Sequence, residues 1–419
     1  MRRILASLLM AAASGAQPLA PEVLLLARIK QHMGLVLARQ PNYTCVETIE
    51  RSQRTARGKR FRLLDALHLE VAVVDGKELF SWPGEREFRD RDIRELAPTG
   101  AIGNGSFALH ARSVFLSNSP TIRYNGEETI DGRKLARYDF DVPQFRSGYR
   151  VRIGTIEGIV GYYGSFWADV ETLDLARLDV IAKEIPPHLP LRGTQDSMRY
   201  ERQAIGDSTF LLPKSSEMTM EDFDGTQSRN AITFSRCRQY AGESTLSFEE
   251  APAGEVTAAP LTEAISLPAG LDLSIELLTR VQFPGSAIGD EIEGRVVRDA
   301  KRKGAVVVPK GAIVKGNIAL LESGYEPRGQ RMHSVAFQWR EITFDGKAGP
   351  FEGQLEAGGA IPVNESSSRG IYQRPPQLAR GVQRHRDVFY VRKETLDLPR
   401  GLLLQWRTTK GGGSGAKKP

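Results

Sequence analysis

The stretch Thr121–Val142, TIRYNGEETIDGRKLARYDFDV, decides the fold class. Two Asx-Gly pairs, Asn125-Gly126 and Asp131-Gly132, punctuate short runs of alternating character. Such pairs suit tight hairpin turns because both central residues accept positive φ. The spacing predicts a meander of Thr121–Tyr124, Glu127–Ile130 and Lys134–Val142. Connections this short imply antiparallel pairing, since a parallel crossover needs about a dozen residues or more.

The same punctuation recurs on both sides. Asp75-Gly76 separates Leu69–Val74 from Lys77–Trp82, Asp224-Gly225 separates Met218–Asp222 from Arg229–Arg236, and Asp345-Gly346 follows Val335–Phe344. Upstream, Tyr43, Cys45, Glu47 and Ile49 alternate with Thr44, Val46, Thr48 and Glu50, a period of two. Before that strand, Val23, Leu26, Ile29, Met33, Val36 and Leu37 recur at helical spacing, predicting an amphipathic helix over Glu22–Gln40. Arg89–Ala97 and Phe107–Leu116 are the other helical candidates. The chain reads as mainly antiparallel β with a few helices.

The amino terminus reads as an export signal. Arg2 and Arg3 precede the apolar run Ile4–Ala13, and Ser14-Gly15-Ala16 supplies small residues for cleavage after Ala16. The run is too short for a membrane helix, which needs about twenty apolar residues. No cysteine lies near the cut, so the mature protein is expected to be periplasmic or secreted without a lipid anchor. No other stretch approaches a transmembrane span.

A chain of 419 residues exceeds what one core usually organises, so two domains are expected. Residues 251–264 hold Ala-Pro-Ala-Gly and Ala-Ala-Pro with little apolar pattern and read as a linker. It divides a first unit, residues 20–250, from a second, residues 265–409, ahead of a flexible tail at 410–419. In the second unit Leu267-Pro-Ala-Gly270, Val308-Pro-Lys-Gly311 and Leu398-Pro-Arg-Gly401 each precede an alternating run and mark three strand starts. Asn364–Arg386, with Pro375-Pro376 and five arginines, reads as a long mobile loop.

The formal net charge is +6, but Arg2, Arg3, Lys410, Lys417 and Lys418 carry five of those charges outside the folded body. A nearly neutral body lacks the field of a nucleic-acid binder, so no nucleic-acid partner is expected. Arg51, Arg54, Arg57, Lys59, Arg60 and Arg62 crowd one hairpin and read as a solvated turn, or else as a site for anionic headgroups. The two cysteines, Cys45 and Cys237, sit in strand-like runs near opposite ends of the first unit. In an exported chain they predict a disulfide, the alternative being two buried thiols.

Enzyme signatures fail one after another. The six histidines are scattered, no nucleophile elbow or phosphate loop occurs, and the paired aspartates Asp222 and Asp224 fit a hairpin turn. Neither a cofactor nor a metal site is expected, and the chain reads as non-catalytic. Its most distinctive patch is Tyr149–Trp167, where Ile159, Val160, Tyr162, Tyr163, Phe166 and Trp167 interleave with glycines. Bulky residues among glycines suit a curved sheet whose concave face is either a filled core or an apolar cavity.

At this patch the first unit resembles the periplasmic lipoprotein-carrier superfamily of LolA, LolB and RseB. The matching residues are Gly164-Ser-Phe-Trp-Ala-Asp169, Leu173–Ala182, Glu184-Ile-Pro-Pro187, Tyr200 and Phe210-Leu-Leu-Pro213. It is similar, too, to secreted bacterial proteins with a Phe-Ser-x-Cys-x-x-Tyr motif, here Phe234–Tyr240. The resemblance implies an antiparallel half-barrel closed by helices over an apolar cavity. The second unit, through Leu267-Pro-Ala-Gly270, Gly289-Asp290, Val308-Pro-Lys-Gly311 and Val314–Ile318, resembles the β-barrel domain of TrbI-like secretion-channel subunits.

The expectation is therefore an N-terminal antiparallel half-barrel with a covering helix, followed by a second antiparallel β-barrel-like domain. The first unit would bind an apolar ligand, a lipid or lipoprotein, against Leu26, Ile29, Met33, Tyr162, Tyr163, Phe166 and Trp167. The alternative is a structural or assembly factor that docks onto an envelope protein through its second unit.

Overall fold

The computed structural model describes residues 19–74, 77–85, 88, 93, 102, 106–153, 156–240, 265–325, 330–357, 371–372 and 387–409. The expected leader at 1–16, the expected linker at 251–264, the expected tail at 410–419 and most of the arginine-rich stretch lie outside the described residues. So does the candidate helix Arg89–Ala97, except for Ile93, which is helical and buried.

Helix α1, Pro21–Ala38, opens with a proline in its first turn, where no intrahelical N–H partner is lost, and stops before Pro41. Helix α2 is Ser106–Leu116. The strands of the first unit are β1 Tyr43–Arg54, β2 Arg62–Val74, β3 Lys77–Ser81, β4 Thr121–Ile130, β5 Arg133–Val142, β6 Arg150–Ile153, β7 Ile156–Ile159, β8 Gly161–Asp169, β9 Leu175–Lys183, β10 Gly193–Ile205, β11 Ser208–Glu221 and β12 Gln227–Gln239. Ten of them form one antiparallel sheet in the order β3-β2-β1-β12-β11-β10-β9-β8-β5-β4, while β6 and β7 make a separate hairpin. The fold is thus mainly β, a curled antiparallel sheet with helices on one face.

The deciding stretch holds two strands instead of three. Asp131-Gly132 is the turn, with φ of 51° and 75° and Ile130 paired to Arg133. Asn125-Gly126 lies within β4 as a bulge, since pairing steps from Tyr124↔Tyr138 to Glu127↔Ala136. The hairpin downstream fixes the register, and a glycine at positive φ serves a bulge as well as a turn. Asp224-Gly225 closes a longer loop between Glu221 and Gln227, capped where the Thr226 N–H donates to the Asp224 carboxylate at 2.7 Å.

Cys45 and Cys237 are bonded, with Cα atoms 4.1 Å apart. They meet across the neighbours β1 and β12, where the register shifts between Thr44 and Val46 and Arg236 takes a positive φ of 51°.

The second unit is a nine-stranded antiparallel sheet built around the long hairpin Ile313–Tyr325 and Arg331–Phe344. The three Pro-x-Gly turns do start strands there. Gly270, Gly311 and Gly401 have φ of 81°, 96° and 91°, ahead of Asp272–Leu277, Ile313–Tyr325 and Leu403–Thr408. This unit docks on β2, where the short β3 leaves the edge at Ala66 and His68 unpaired. The Ile288 N–H donates to the Ala66 carbonyl and the His68 N–H to the Ile288 carbonyl, each at 2.8 Å. A Cβ at Gly289 would stand 2.2 Å from the His68 carbonyl oxygen, so the approach requires glycine.

Gly164 in β8 has the same kind of role inside the sheet. A Cβ there would fall 1.9 Å from the Asp179 carbonyl oxygen and 3.1 Å from the Phe140 ring. Gly164→Ala is expected to cost about 1–3 kcal/mol of unfolding free energy through overpacking, measured by denaturant titration. Removing the disulfide with Cys45→Ala and Cys237→Ala is expected to cost about 2–5 kcal/mol. Thiol labelling of denatured, unreduced protein should find no free cysteine.

Candidate functional site

The inner face of the first sheet follows from the period of two. Along β8, Tyr162, Gly164, Phe166 and Ala168 point inward, and Tyr163, Ser165 and Trp167 point outward. Inward neighbours in register are Tyr138 and Phe140 on β5, Leu178 and Val180 on β9, and Met198 and Tyr200 on β10. Tyr138 stacks on Phe166 at 5.2 Å, and Phe115 from α2 meets Phe166 edge-on at 4.9 Å. Helix α1 lays Ile29, Met33 and Leu37 over this wall, with Leu26 half-buried beside them.

Of the expected wall residues, the structure therefore gathers Leu26, Ile29, Met33, Tyr162 and Phe166. Tyr163 and Trp167 lie on the opposite face, because residues one apart on a strand cannot share a side. That outer face carries a trough of ≈ 670 Å³. In it Arg137 and Arg177 stack on Trp167 at 5.2 and 4.8 Å and pair with Asp139 and Asp179. Ser165 and Ser197 donate to the same carboxylates at 2.6 and 2.7 Å, so these charges satisfy one another.

The helices touch the sheet mainly through side chains, with a few polar bonds at the rim. The Tyr138 hydroxyl donates to the Glu22 carbonyl at 2.7 Å, and Ser113 on α2 bonds the Tyr162 hydroxyl. His32 on α1 meets Asp174 at 2.8 Å, and Arg202 grips the same carboxylate at 2.7 and 2.8 Å. Burial pushes the Tyr138 phenol up to about 12. For Asp174, burial raises the pKa, but the bonds from Arg202 and His32 outweigh it and hold the carboxyl below its usual value.

A second feature was not legible as a site. One inward row crosses five strands in register: Asp196 on β10, Met218 on β11, Asn230 on β12, Arg51 on β1 and Asp65 on β2. All five are buried. Arg51, expected in a solvated turn, is 3% exposed and forms a two-pronged ion pair with Asp65. Its parity with Tyr43, Cys45 and Ile49 was the available signal. Ser216 donates to Asp196 at 2.7 Å. Burial, with Glu78 nearby, raises the Glu47 carboxyl well above its usual value, and burial lowers the His110 imidazole against the pull of Asp196. No group of three His, Cys, Asp or Glu side chains converges as a metal site among the described residues.

No protein-family model and no curated protein sequence is similar to the chain. Among solved structures, it is similar to a domain from Vibrio parahaemolyticus described as an outer membrane lipoprotein-sorting protein, at 12% identity and a TM-score of 0.27, over 53% of this chain and 93% of that one. It is similar to a LolA superfamily protein from Nitrosomonas europaea, at 12% identity and TM-score 0.26, over 52% and 94%. A DUF1329 family protein from Desulfovibrio piger gives 15% identity and TM-score 0.25, over 53% and 92%. The TrbI-like resemblance of the second unit is not shown by these structures. No described helix is long and apolar enough to cross a membrane.

Asp174 provides a pH test of the rim. Its folded pKa is depressed, so its contribution is complete above the unfolded value near 3.8 and fades as pH falls through the lower folded value. Asp174→Asn should be less stable than the wild type at and above roughly pH 5, where the wild-type carboxylate is ionised. That margin should shrink below pH 4, read by denaturant unfolding at each pH.

Proposed function

We propose that the chain is a non-catalytic exported envelope protein. Its first unit takes an apolar chain, from a lipid or a lipidated partner, between the inner sheet face and helices α1 and α2. The observation that carries this reading is the lid arrangement. An aromatic and aliphatic wall from β5 to β10 is covered by two helices held through side-chain packing and a few rim bonds. Displacing α1 breaks no strand pairing, so the sheet can keep its shape while its inner face opens.

Each methylene taken from water onto such a wall gains about 0.8 kcal/mol. Ten of them would offset a substantial part of the ordering cost of binding. Export would follow from the expected leader at 1–16, and the expected division at 251–264 would leave residues 265–409 to serve as a contact module.

Native mass spectrometry and solvent extraction of protein purified from the periplasm test the reading directly, with an environment-sensitive apolar dye as a second probe. Bound lipid or saturable dye uptake is expected. Tyr138→Phe and His32→Ala each remove a rim bond worth about 1 kcal/mol, which should raise the open population and the uptake rate roughly fivefold. No lipid, no dye uptake and no response to these variants would overturn the carrier reading and leave the assembly-factor alternative.

A further inference from the structure

Among the described inward polar residues, Asn230 stands apart in leaving both polar atoms of its side chain unmet. Its neighbours in register are accounted for, with Arg51 paired to Asp65 and Asp196 bonded by Ser216. Asn230 is 1% exposed, and neither its Oδ1 nor its Nδ2 has a hydrogen-bond partner. Leaving both a donor and an acceptor of one carboxamide unmet in a protein interior costs about 1–3 kcal/mol for each. Most buried polar groups avoid this, and an exception calls for a reason.

The surroundings indicate what would satisfy it. Met218 lies beside Asn230 in register, and Met220 follows on the same face of β11. Methionine side chains are unbranched and adapt their shape to an occupant. Asn230 sits two strands from Asp196 on β10, the strand that also carries Met198 and Tyr200 of the apolar wall. Neighbouring strands are about 4.8 Å apart, so the carboxamide is on the order of 10 Å from that wall. An apolar chain against the wall would bring its head to the polar row.

Resting on the carrier reading above, we infer that Asn230 recognises the head of a single-chain amphiphile that offers one donor and one acceptor on the same edge. An undissociated carboxylic acid or a primary amide has that geometry. Its O–H or N–H donates to Oδ1 and its carbonyl accepts from Nδ2, closing a ring of two hydrogen bonds. A methyl ester of the same chain has the acceptor but lacks the donor. No ion is required: Arg51 is paired with Asp65, and Asp196 accepts a hydrogen bond from Ser216.

The test is displacement of the apolar dye from the full chain by lauramide, lauric acid and methyl laurate. Lauramide, lauric acid or both should compete at least roughly tenfold more strongly than methyl laurate. Which of them does so identifies the head the site takes. Asn230→Leu removes both unmet atoms at similar volume, so the variant should be as stable as the wild type or more stable. It should bind all three ligands with the affinity of methyl laurate. Equal competition by the three ligands in the wild type, unchanged in Asn230→Leu, overturns the inference and leaves the carrier reading standing. Failure of all three to displace bound dye, or of the dye to bind, overturns both.

Discussion

The pairing of β1 with β12 is the contact on which the rest of the first sheet depends. β1 also carries β2 and β3, while β12 carries the six strands out to β4, so without this seam there are two unconnected sheets. The seam joins segments whose cysteines are 192 residues apart. Closing so long a loop must precede any reward from the contact, which makes it an expensive step in folding. The disulfide acts at the seam itself and limits the freedom of the unfolded chain there. The register of the same pairing sets Asn230 beside Arg51 and Ile232 beside Ile49, so it also decides what the inner face contains.

The second unit uses the next strand along. Because β3 is only five residues long, it covers one half of β2 and leaves the other half as an exposed edge. Exposed edges invite pairing with other chains. Here Ile288 fills the gap with backbone bonds, His68 meets Asp290 at 2.6 Å, and Arg340 reaches Glu85 at 3.8 Å. Buried apolar residues run without a break from Tyr43, Leu67 and Trp82 into Ile275, Val314 and Trp339. The proposed division at 251–264 is therefore one of chain continuity. Cutting there need not separate two units that share apolar contacts and an edge.

The sequence pattern disclosed local geometry well, because local geometry is chemically encoded. Asp131-Gly132, Asp345-Gly346 and the three Pro-x-Gly turns demand left-handed glycines, and the structure places them there. The helix over Glu22–Gln40 was legible from its apolar stripe, and the pairing of Cys45 with Cys237 from the chain's expected export. Asn125-Gly126 was misread because a bulge and a turn ask the same thing of a glycine. The wall residues Tyr163 and Trp167 were misassigned by treating a cluster of aromatics as one surface instead of applying the strand period within it. Arg51 was marked only by its parity with Tyr43, Cys45 and Ile49, and Asp65, Asp196 and Asn230 were missed for a different reason. A charge in an alternating strand reads as outward, and only the partner strand's register shows that its face is closed.

That closed polar row divides the interior into two regions of different chemistry. On one side, β5 through β10 present rings and aliphatic chains that gain from any apolar neighbour and discriminate weakly between them. On the other, the row from Asp196 to Asp65 holds groups that lose free energy unless each finds a partner of matching geometry. An interior selected for stability alone would have replaced these residues with hydrophobic ones of similar volume, which is often neutral or favourable. Retaining a buried Arg-Asp pair and an unmet carboxamide beside an apolar wall makes the inner face amphiphilic. In the proposed carrier the apolar wall would supply affinity and the polar row selectivity, and a single sheet whose register is set by β1 and β12 keeps the two at a fixed separation.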